Sequence, residues 1–206
     1  TPTPAIGISQ AVYPVARHQK IDLLERLLKA EGTTSALIFT RTKSYASRLY
    51  DTLQQRGFKV SVMHGDRSQS QRLRALEQFR RGRSQVMVAT DIAARGIDID
   101  DVSHVINFDV PHTPNDYVHR IGRTARADAT GDAFTLMDPS EEPLVQDIEK
   151  SLKITLPRVT LPNFEYQKGS AHKPHGASHG PRHQPRRGPG GGSRHQGHRP
   201  PRRRHG

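Results

Sequence analysis

The chain has 206 residues, a formal net charge of +12 and no cysteine. That length allows one domain of ordinary size plus additional sequence, and the lack of cysteine excludes disulfides and thiolate metal sites. No apolar run reaches the ~18 residues that a membrane span requires, and the first residues lack the regions of a signal peptide. We therefore expect a soluble cytoplasmic protein.

The charge is concentrated at the C-terminus. Residues 168–206 contain ten Lys and Arg residues, seven of the twelve His residues and no acidic residue. Glycine, proline, histidine, arginine and serine dominate there, so the segment cannot bury enough apolar surface to offset the entropy of ordering. We predict a disordered basic tail behind a nearly neutral globular segment.

Five short apolar runs predict β-strands. Most are apolar at successive positions, as strands covered on both faces should be. They are Ser35–Phe39, Lys59–Met63, Gln85–Ala89, Ser103–Phe108 and Asp132–Met137.

Three stretches between these runs have helical spacing of apolar residues. The first is centred on Leu24, the second on Leu49 and the third contains Leu73, Leu76 and Phe79. A glycine follows each stretch at the place where a left-handed helix cap is favoured. These glycines are Gly32, Gly57 and Gly82.

Strands that alternate with helices predict a doubly wound α/β domain with a parallel sheet sandwiched by helices. We place this domain at residues 12–155, after a linker at 1–11 and before an extended segment at 156–167 and the tail at 168–206. Ligands of such folds gather at the carboxyl ends of the strands. The candidate segments are therefore Thr40–Lys43, His64–Arg67 and Thr90–Asp98.

Four segments resemble, in order, motifs IV, IVa, V and VI of DEAD-box RNA helicases, a branch of helicase superfamily 2. They read LIFTRTK at 37–43, SQSQRLRALEQFRRG at 68–82, VATDIAARGIDI at 88–99 and HRIGRTAR at 119–126. The resemblance covers about residues 10–155, and the bacterial RhlE-like subgroup, which often carries basic tails, is the nearest. It implies a RecA-like fold and the C-terminal half of an ATP-dependent RNA helicase that couples ATP hydrolysis to RNA binding and local duplex unwinding.

Motif VI carries the predicted catalytic residues. Arg123 and Arg126 are three residues apart, so both guanidinium groups could converge on one polyphosphate. The resemblance makes them arginine fingers for the γ-phosphate of ATP. The alternative is that these arginines are solvated or pair with Asp128 and Asp132.

Other motif VI positions are less distinctive. Arg120 could be functional or structural, and the resemblance gives His119 a role in coupling the ATP and RNA sites. Ala125 occupies a position where most family members have glycine, and we expect its methyl group to be tolerated.

Motif V is expected to touch both ligands. Thr90 and Asp91 follow a strand, where a hydroxyl and main-chain N–H groups can meet phosphate, and Gly96 permits close approach of a ligand. The resemblance assigns an RNA contact to Thr90 and the ATP ribose hydroxyls to Asp98. The alternative for Asp98 is a turn-capping role beside Asp100–Asp101.

The remaining RNA contacts are predicted at helix starts. Gln69 and Arg72 begin a helix whose dipole favours phosphate, and Arg41 and Thr42 match the motif IV loop. Nothing suggests readout of bases. The predicted nucleotide-binding residues are Gly96, Asp98, His119, Arg123 and Arg126, and the predicted RNA-binding residues are Arg41, Thr42, Gln69, Arg72, Thr90 and Asp91.

Other polar residues near the motifs receive no ligand role. The turn at His64–Asp66 is typical of the family and is expected to be structural. We expect ordinary surface charge at Arg67, Arg74, Arg80 and Arg81.

The chain lacks a Walker A motif and a DEAD tetrapeptide. The resemblance assigns these to an N-terminal RecA-like domain of the same protein, which would bind most of the ATP with Mg²⁺, so we expect this chain alone to be inactive and to have no metal site. The tail is expected to attract RNA phosphate in a salt-dependent manner. Two alternatives are a non-catalytic RNA-binding or chaperone module and a DNA-directed superfamily 2 motor, and the oligomeric state stays open.

Overall fold

A computed structural model describes residues 7–125 and 130–167 of the chain. These residues form a six-stranded sheet in which every neighbouring pair is parallel. The strands are β1 (Ile8–Pro14), β2 (Ala36–Thr40), β3 (Val60–Met63), β4 (Val86–Thr90), β5 (His104–Asn107) and β6 (Gly131–Met137). The helices are α1 (Lys20–Lys29), α2 (Lys43–Gln55), α3 (Gln69–Arg80), α4 (Asp91–Ala94), α5 (Pro114–Ile121) and α6 (Glu142–Leu152), with short 3-10 turns at Arg17–Gln19 and Pro139–Glu141. The tail predicted at 168–206 lies outside the described residues.

The strand order is β1-β6-β5-β2-β4-β3. Strands β2, β4 and β5 lie in the middle and are buried at every position. Alternate residues of these strands face two separate apolar layers, one beneath α1 and α2 and the other beneath α3 and α4. The five predicted strands and the doubly wound parallel sheet are confirmed.

Strand β1 is an addition to the predicted sheet. It begins at Ile8, inside the segment expected to be a linker, and pairs with β6 from Ile8 opposite Gly131 to Pro14 opposite Met137. Only Val12 and Tyr13 of this strand are buried, so its sequence lacks the continuous apolar run that marks the central strands.

A segment after α6, residues 156–167, covers the outer side of β1, and we call it the strap. The Val12 N–H donates to the Pro157 carbonyl at 2.8 Å, and the Val159 N–H donates to the Val12 carbonyl at 2.8 Å. Arg158 fastens the strap through ion pairs with Glu142 (2.7 Å) and Glu149 of α6. This edge of the sheet is therefore closed by the chain itself.

The three predicted helices are present as α1, α2 and α3. Gly32, Gly57 and Gly82 follow them with φ of +91°, +89° and +68°, the left-handed conformation predicted for these positions. Leu73 belongs to the predicted apolar stripe of α3, but it is 56% exposed, because α3 packs through Leu76 and Phe79. Within the described ranges, no helix is long and apolar enough to cross a membrane.

Candidate functional site

The predicted site segments meet at one edge of the sheet. Strands β2 and β4 are neighbours, and their last residues, Thr40 and Thr90, are paired in register. Helix α2 starts shortly after β2, and α4 starts directly after β4. The fold thus brings the segments after these two strands together at the carboxyl edge.

After β4 the chain forms the short helix α4 and then a loop that contains Gly96 and Asp98. Thr90 is the N-cap residue of α4, is only 6% exposed, and makes no capping hydrogen bond with its side chain. Gly96 has a φ of +76°, and a Cβ atom there would have no neighbour within 4 Å. Glycine is therefore favoured at this position by the backbone angle and not by crowding.

Asp98 is the exposed end of this loop, with 76% of its side chain accessible. Arg80, the last residue of α3, donates a hydrogen bond to the Asp98 carbonyl, and its guanidinium also lies 3.3 Å from the Asp98 carboxylate. This contact joins the end of α3 to the loop. Arg80 is therefore more than the ordinary surface charge that its sequence context predicts.

Arg120 is buried and fully paired at the base of the site. It is 3% exposed and forms a two-pronged ion pair with Asp91, with both nitrogen–oxygen distances at 2.7 Å. It also donates to the Asn107 side chain (3.2 Å) and the Asp109 carbonyl (2.9 Å), and it stacks 5.1 Å from the centre of the Phe39 ring. Arg120 therefore ties the ends of β2, β4 and β5 together, which favours the structural alternative.

Arg123 has a different environment. Its guanidinium donates to the carbonyls of Ala94 (3.4 Å), the last residue of α4, and Ile97 (2.9 Å), in the loop that follows α4. No carboxylate among the described residues forms an ion pair with it. Asp132, one of the partners considered from sequence, instead lies 3.4 Å from His104. Main-chain carbonyls thus orient Arg123, and no described carboxylate neutralises its positive charge.

A narrow cleft separates α4 from α5 beside these arginines. Asp91, Ala94, Arg95, Asp116, His119 and Arg123 are among its lining residues. Arg95 and Asp116 form an ion pair across it at 2.9 Å, and His119 is exposed. Arg126, the second predicted finger, lies outside the described residues, as does Asp128.

The turn before Arg126 is tightly built. Ala125 has a φ of +54°, the left-handed region that favours glycine. A Cβ atom on Gly131 would lie 2.0 Å from Oγ1 of Thr124, so a side chain there would displace the residues next to Arg123. The backbone angle of Ala125 is the reason that glycine suits this position, and Gly131 is a supporting residue that the sequence pattern does not single out.

Helix α3 begins with groups suited to an anion. Ser68 and Gln71 form a capping box, which leaves Gln69 exposed at the first helical position. Arg72 donates weakly to the Gly65 carbonyl at 3.4 Å, while its buried Nε–H has no partner among the described residues. A buried donor without a partner is costly, so a bound oxyanion would be favourable here.

The loop after β2 places Arg41 and Thr42 at the carboxyl edge of the sheet. The Arg41 N–H donates to the Asp109 carboxylate at 2.7 Å, and its side chain is 41% exposed. The Thr42 hydroxyl caps α2 by accepting a hydrogen bond from the Tyr45 N–H at 3.2 Å. The Arg41 guanidinium lies 3.8 Å from the Glu141 carboxylate, and both Arg41 and Thr42 are accessible from solvent.

His64 supports the neighbouring turn. Its Nδ1 accepts from the Asp66 N–H at 3.2 Å, and its Nε2 lies 2.9 Å from the Ser47 hydroxyl. Burial lowers the pKa of His64, and the positive charge of Arg67 adds to this effect. A lowered pKa favours the neutral ring, and both ring nitrogens contact groups of the protein itself. The described residues contain no group of three or more His, Cys, Asp or Glu side chains that could hold a metal ion.

Comparisons with known proteins identify this arrangement. The family model described as helicase conserved C-terminal domain matches residues 19–128. The DEAD-box ATP-dependent RNA helicase CshA of Bacillus licheniformis is 43% identical over 159 residues, which are 77% of this chain and 33% of that protein. The chain thus spans about a third of the length of this relative.

Solved structures agree in fold as well as in sequence. A chain of the Escherichia coli DEAD-box protein SrmB bound to regulator of ribonuclease activity A is 34% identical with a TM-score of 0.72, covering 78% of this chain and 98% of that one. Saccharomyces cerevisiae Dbp5 bound to RNA and ADP BeF3 is 35% identical with a TM-score of 0.70, covering 76% of this chain and 42% of that one.

The fold and its arginine-rich edge define a RecA-like helicase domain. This chain belongs to the helicase conserved C-terminal domain family, in its DEAD-box branch. The comparisons favour the DEAD-box prediction over an RNA chaperone module or a DNA-directed motor.

Proposed function

We propose that this chain is the ATP-responsive half of an RNA helicase motor. One observation carries the proposal: Arg123, with no carboxylate partner among the described residues, is hydrogen-bonded to the same loop that presents Asp98. An arginine finger and a ribose ligand would therefore be linked through a single loop. The DEAD-box relatives are ATP-dependent RNA helicases by name.

The nucleotide side consists of the loop after α4 and of motif VI. Asp98 accepts the ribose hydroxyls of ATP, and Gly96 lets the backbone approach the nucleotide. Arg123 and Arg126 stabilise the negative charge that develops on the γ-phosphate during phosphoryl transfer. His119, on the cleft rim, links this side to RNA and does not transfer a proton.

The RNA side is formed by groups that can contact phosphate and ribose. Arg72 supplies an unpaired N–H and a charge at the start of α3, beside Gln69. Arg41, Thr42 and Thr90 continue this surface along the carboxyl edge. Asp91 contributes through its main-chain N–H, because Arg120 occupies both of its carboxylate oxygens.

The partner of this half is an N-terminal RecA-like domain of the same protein, which would bind the phosphates of ATP and Mg²⁺. The described residues contain no cluster of three or more acidic or histidine side chains that could hold Mg²⁺. We further propose a cytoplasmic location and a place in the RhlE-like subgroup, the latter from the basic sequence of residues 168–206.

The test uses the full-length helicase and its RNA-stimulated ATP turnover. Arg126→Ala is expected to lower turnover by at least about a thousandfold, since an arginine finger contributes ~10³–10⁵ in rate. Unchanged turnover would refute the assignment. Stimulation by DNA strands as strong as by RNA strands would support the DNA-directed alternative.

A further inference from the structure

The edge of the sheet at β3 is open, unlike the edge at β1. Strand β3 is last in the strand order and pairs only with β4 among the described strands. A groove of about 220 Å³ runs along it between α2 and α3. Its lining includes Tyr50, Val60, Val62, Arg67, Gln71 and Arg74.

The main chain of β3 offers hydrogen bonds that nothing in the described chain uses. Val60 pairs in register with Val86, whose N–H donates to the Lys59 carbonyl at 3.2 Å. In a parallel pair, this pattern directs the N–H and C=O groups of Val60 and Val62 away from β4. Among the described residues, neither valine has a hydrogen-bond partner for these outward groups.

These outward groups belong to residues that line the groove. Val60 and Val62 contribute to its lining, with residues of α2 and α3 on either side. The groove is open, so a bound chain could reach the unpaired edge of β3. A strand laid along the groove would satisfy the outward groups, and an exposed strand edge is a known template for such pairing.

The positive charge of the groove indicates that the bound segment should be acidic. Arg67 and Arg74 lie on its rim, and none of its lining residues is acidic. Neither arginine has an ion pair with a described residue, and Arg67 instead lies 6.0 Å from the centre of the Tyr50 ring. The basic residues 168–206 carry the same sign of charge and are poorly suited to this groove.

We propose that the β3 edge binds an extended acidic peptide segment of a partner protein by strand addition. The peptide main chain bonds to Val60 and Val62, and its carboxylates pair with Arg67 and Arg74. This site uses none of the residues assigned to ATP or RNA. A nucleic acid strand lacks the alternating N–H and C=O groups that the edge requires, so the main-chain geometry favours a peptide.

The test is an NMR titration of the isotope-labelled 206-residue chain. The probe is a capped synthetic peptide of alternating valine and glutamate. One control peptide replaces glutamate with lysine, and another carries proline at alternate positions and so lacks main-chain donors. We expect the amide signals of Val60 and Val62 to shift with the glutamate peptide, and at least about tenfold weaker binding of both control peptides.

Variants of the chain identify the groove. The double change Arg67→Glu with Arg74→Glu is expected to weaken binding of the glutamate peptide about tenfold or more, because attraction becomes repulsion. Arg83→Glu, an exposed residue outside the groove lining, is the matched control and should change affinity less than about twofold. Arg74→Gln gives a milder variant if the double change alters the spectrum as a whole.

Three results would overturn the proposal. The first is a set of shifts confined to residues 168–206, which would mean that the acidic peptide binds the basic segment alone. The second is equal affinity of the groove variants and the Arg83→Glu control. The third is that an oligouridine strand shifts the Val60 and Val62 amides while the glutamate peptide does not.

Discussion

Arg120 and Arg123 carry the same charged group at the same edge of the sheet, but their surroundings differ. Arg120 is 3% exposed, and its guanidinium is paired with a carboxylate, a side-chain amide oxygen, a carbonyl and an aromatic ring. Arg123 is half-buried and donates to two carbonyls.

This difference shows how one motif divides its arginines between two tasks. A guanidinium neutralised by a carboxylate has little attraction left for an added anion, whereas one oriented by carbonyl dipoles keeps its full charge. We infer that Arg120 holds the site together and that Arg123 acts on the ligand. Substitutions at the two arginines, and at residues of the loop and turn beside them, test this division.

The largest effect is expected from Arg123→Ala in the full-length helicase. Loss of transition-state charge stabilisation should lower RNA-stimulated ATP turnover about a thousandfold. The free energy of unfolding should fall by only about 1–2 kcal/mol, because the guanidinium makes two hydrogen bonds to carbonyls and one of them is long. Steady-state ATPase kinetics and urea titration measure the two quantities. An arginine that acts only in the structure would give the reverse result, a large loss of stability with turnover retained.

Arg120→Leu should show the opposite balance. Removing one partner of a buried ion pair leaves Asp91 without its counter-charge, and we expect the free energy of unfolding to fall by about 3 kcal/mol. Urea denaturation of the 206-residue chain measures it.

The exposed pair Arg95–Asp116 provides the control for Arg120. The Arg95 side chain is 64% exposed, so Arg95→Ala should cost less than about 1 kcal/mol. Adding Asp91→Leu to Arg120→Leu should restore part of the lost stability, since no charge is then left unpaired. Equal costs for Arg95→Ala and Arg120→Leu would contradict the structural role of Arg120.

Arg80→Ala should produce a smaller and more selective effect. Arg80 holds both the carbonyl and the carboxylate of Asp98, so its loss is expected to raise KM for ATP about tenfold with little change in kcat. The preference for ATP over 2′-deoxy-ATP should weaken in parallel. Arg81→Ala, which removes a surface pair with Glu77, is the adjacent control, and an identical response from it would rule out positioning of Asp98.

The smallest effect is expected at Ala125, close to the two predicted fingers. Its φ of +54° is strained for alanine, so Ala125→Gly should stabilise the chain by up to about 1 kcal/mol after the added freedom of the unfolded glycine is subtracted. Ala30→Gly, at an ordinary φ of −66°, should instead destabilise it. Thermal unfolding of both variants measures whether each change raises or lowers the stability.

The sheet could be predicted from sequence wherever strands are buried on both faces. Strands β2 and β4 show this, because a short, continuous apolar run bounded by polar residues is typical of a buried strand. Strand β1 escaped prediction because it lies at an edge, carries polar Ser9 and Gln10, and pairs with a strand far along the chain. The formation of β1 therefore depends on its pairing with β6, which the pattern of neighbouring residues does not reveal.

The site could be located from sequence more easily than its individual roles could be assigned. The order of strands and helices predicts that Thr40–Lys43 and Thr90–Asp98 lie at the carboxyl ends of strands, but it does not indicate that Arg120 occupies both carboxylate oxygens of Asp91. Arg80 was overlooked for a similar reason, since its partner lies in a loop beyond the next strand. Such pairings depend on side-chain geometry at a distance, which composition and periodicity do not encode.

The position of β6 between β1 and β5 bears on the order in which the sheet assembles. Strands β2 to β5 pair among themselves, so they can associate while the rest of the chain is still being synthesised. Strand β1 precedes the other strands of this sheet in the chain, but the register partner of Ile8 is Gly131, and β5 is also open on that side until β6 is synthesised. Closure must therefore come late, through contacts between residues distant along the chain, which are slow to form. A nascent chain that stalls before residue 131 leaves β1 without its pairing partner and the buried strand β5 with an open edge, so the emergence of β6 removes two sites of unwanted strand pairing at once.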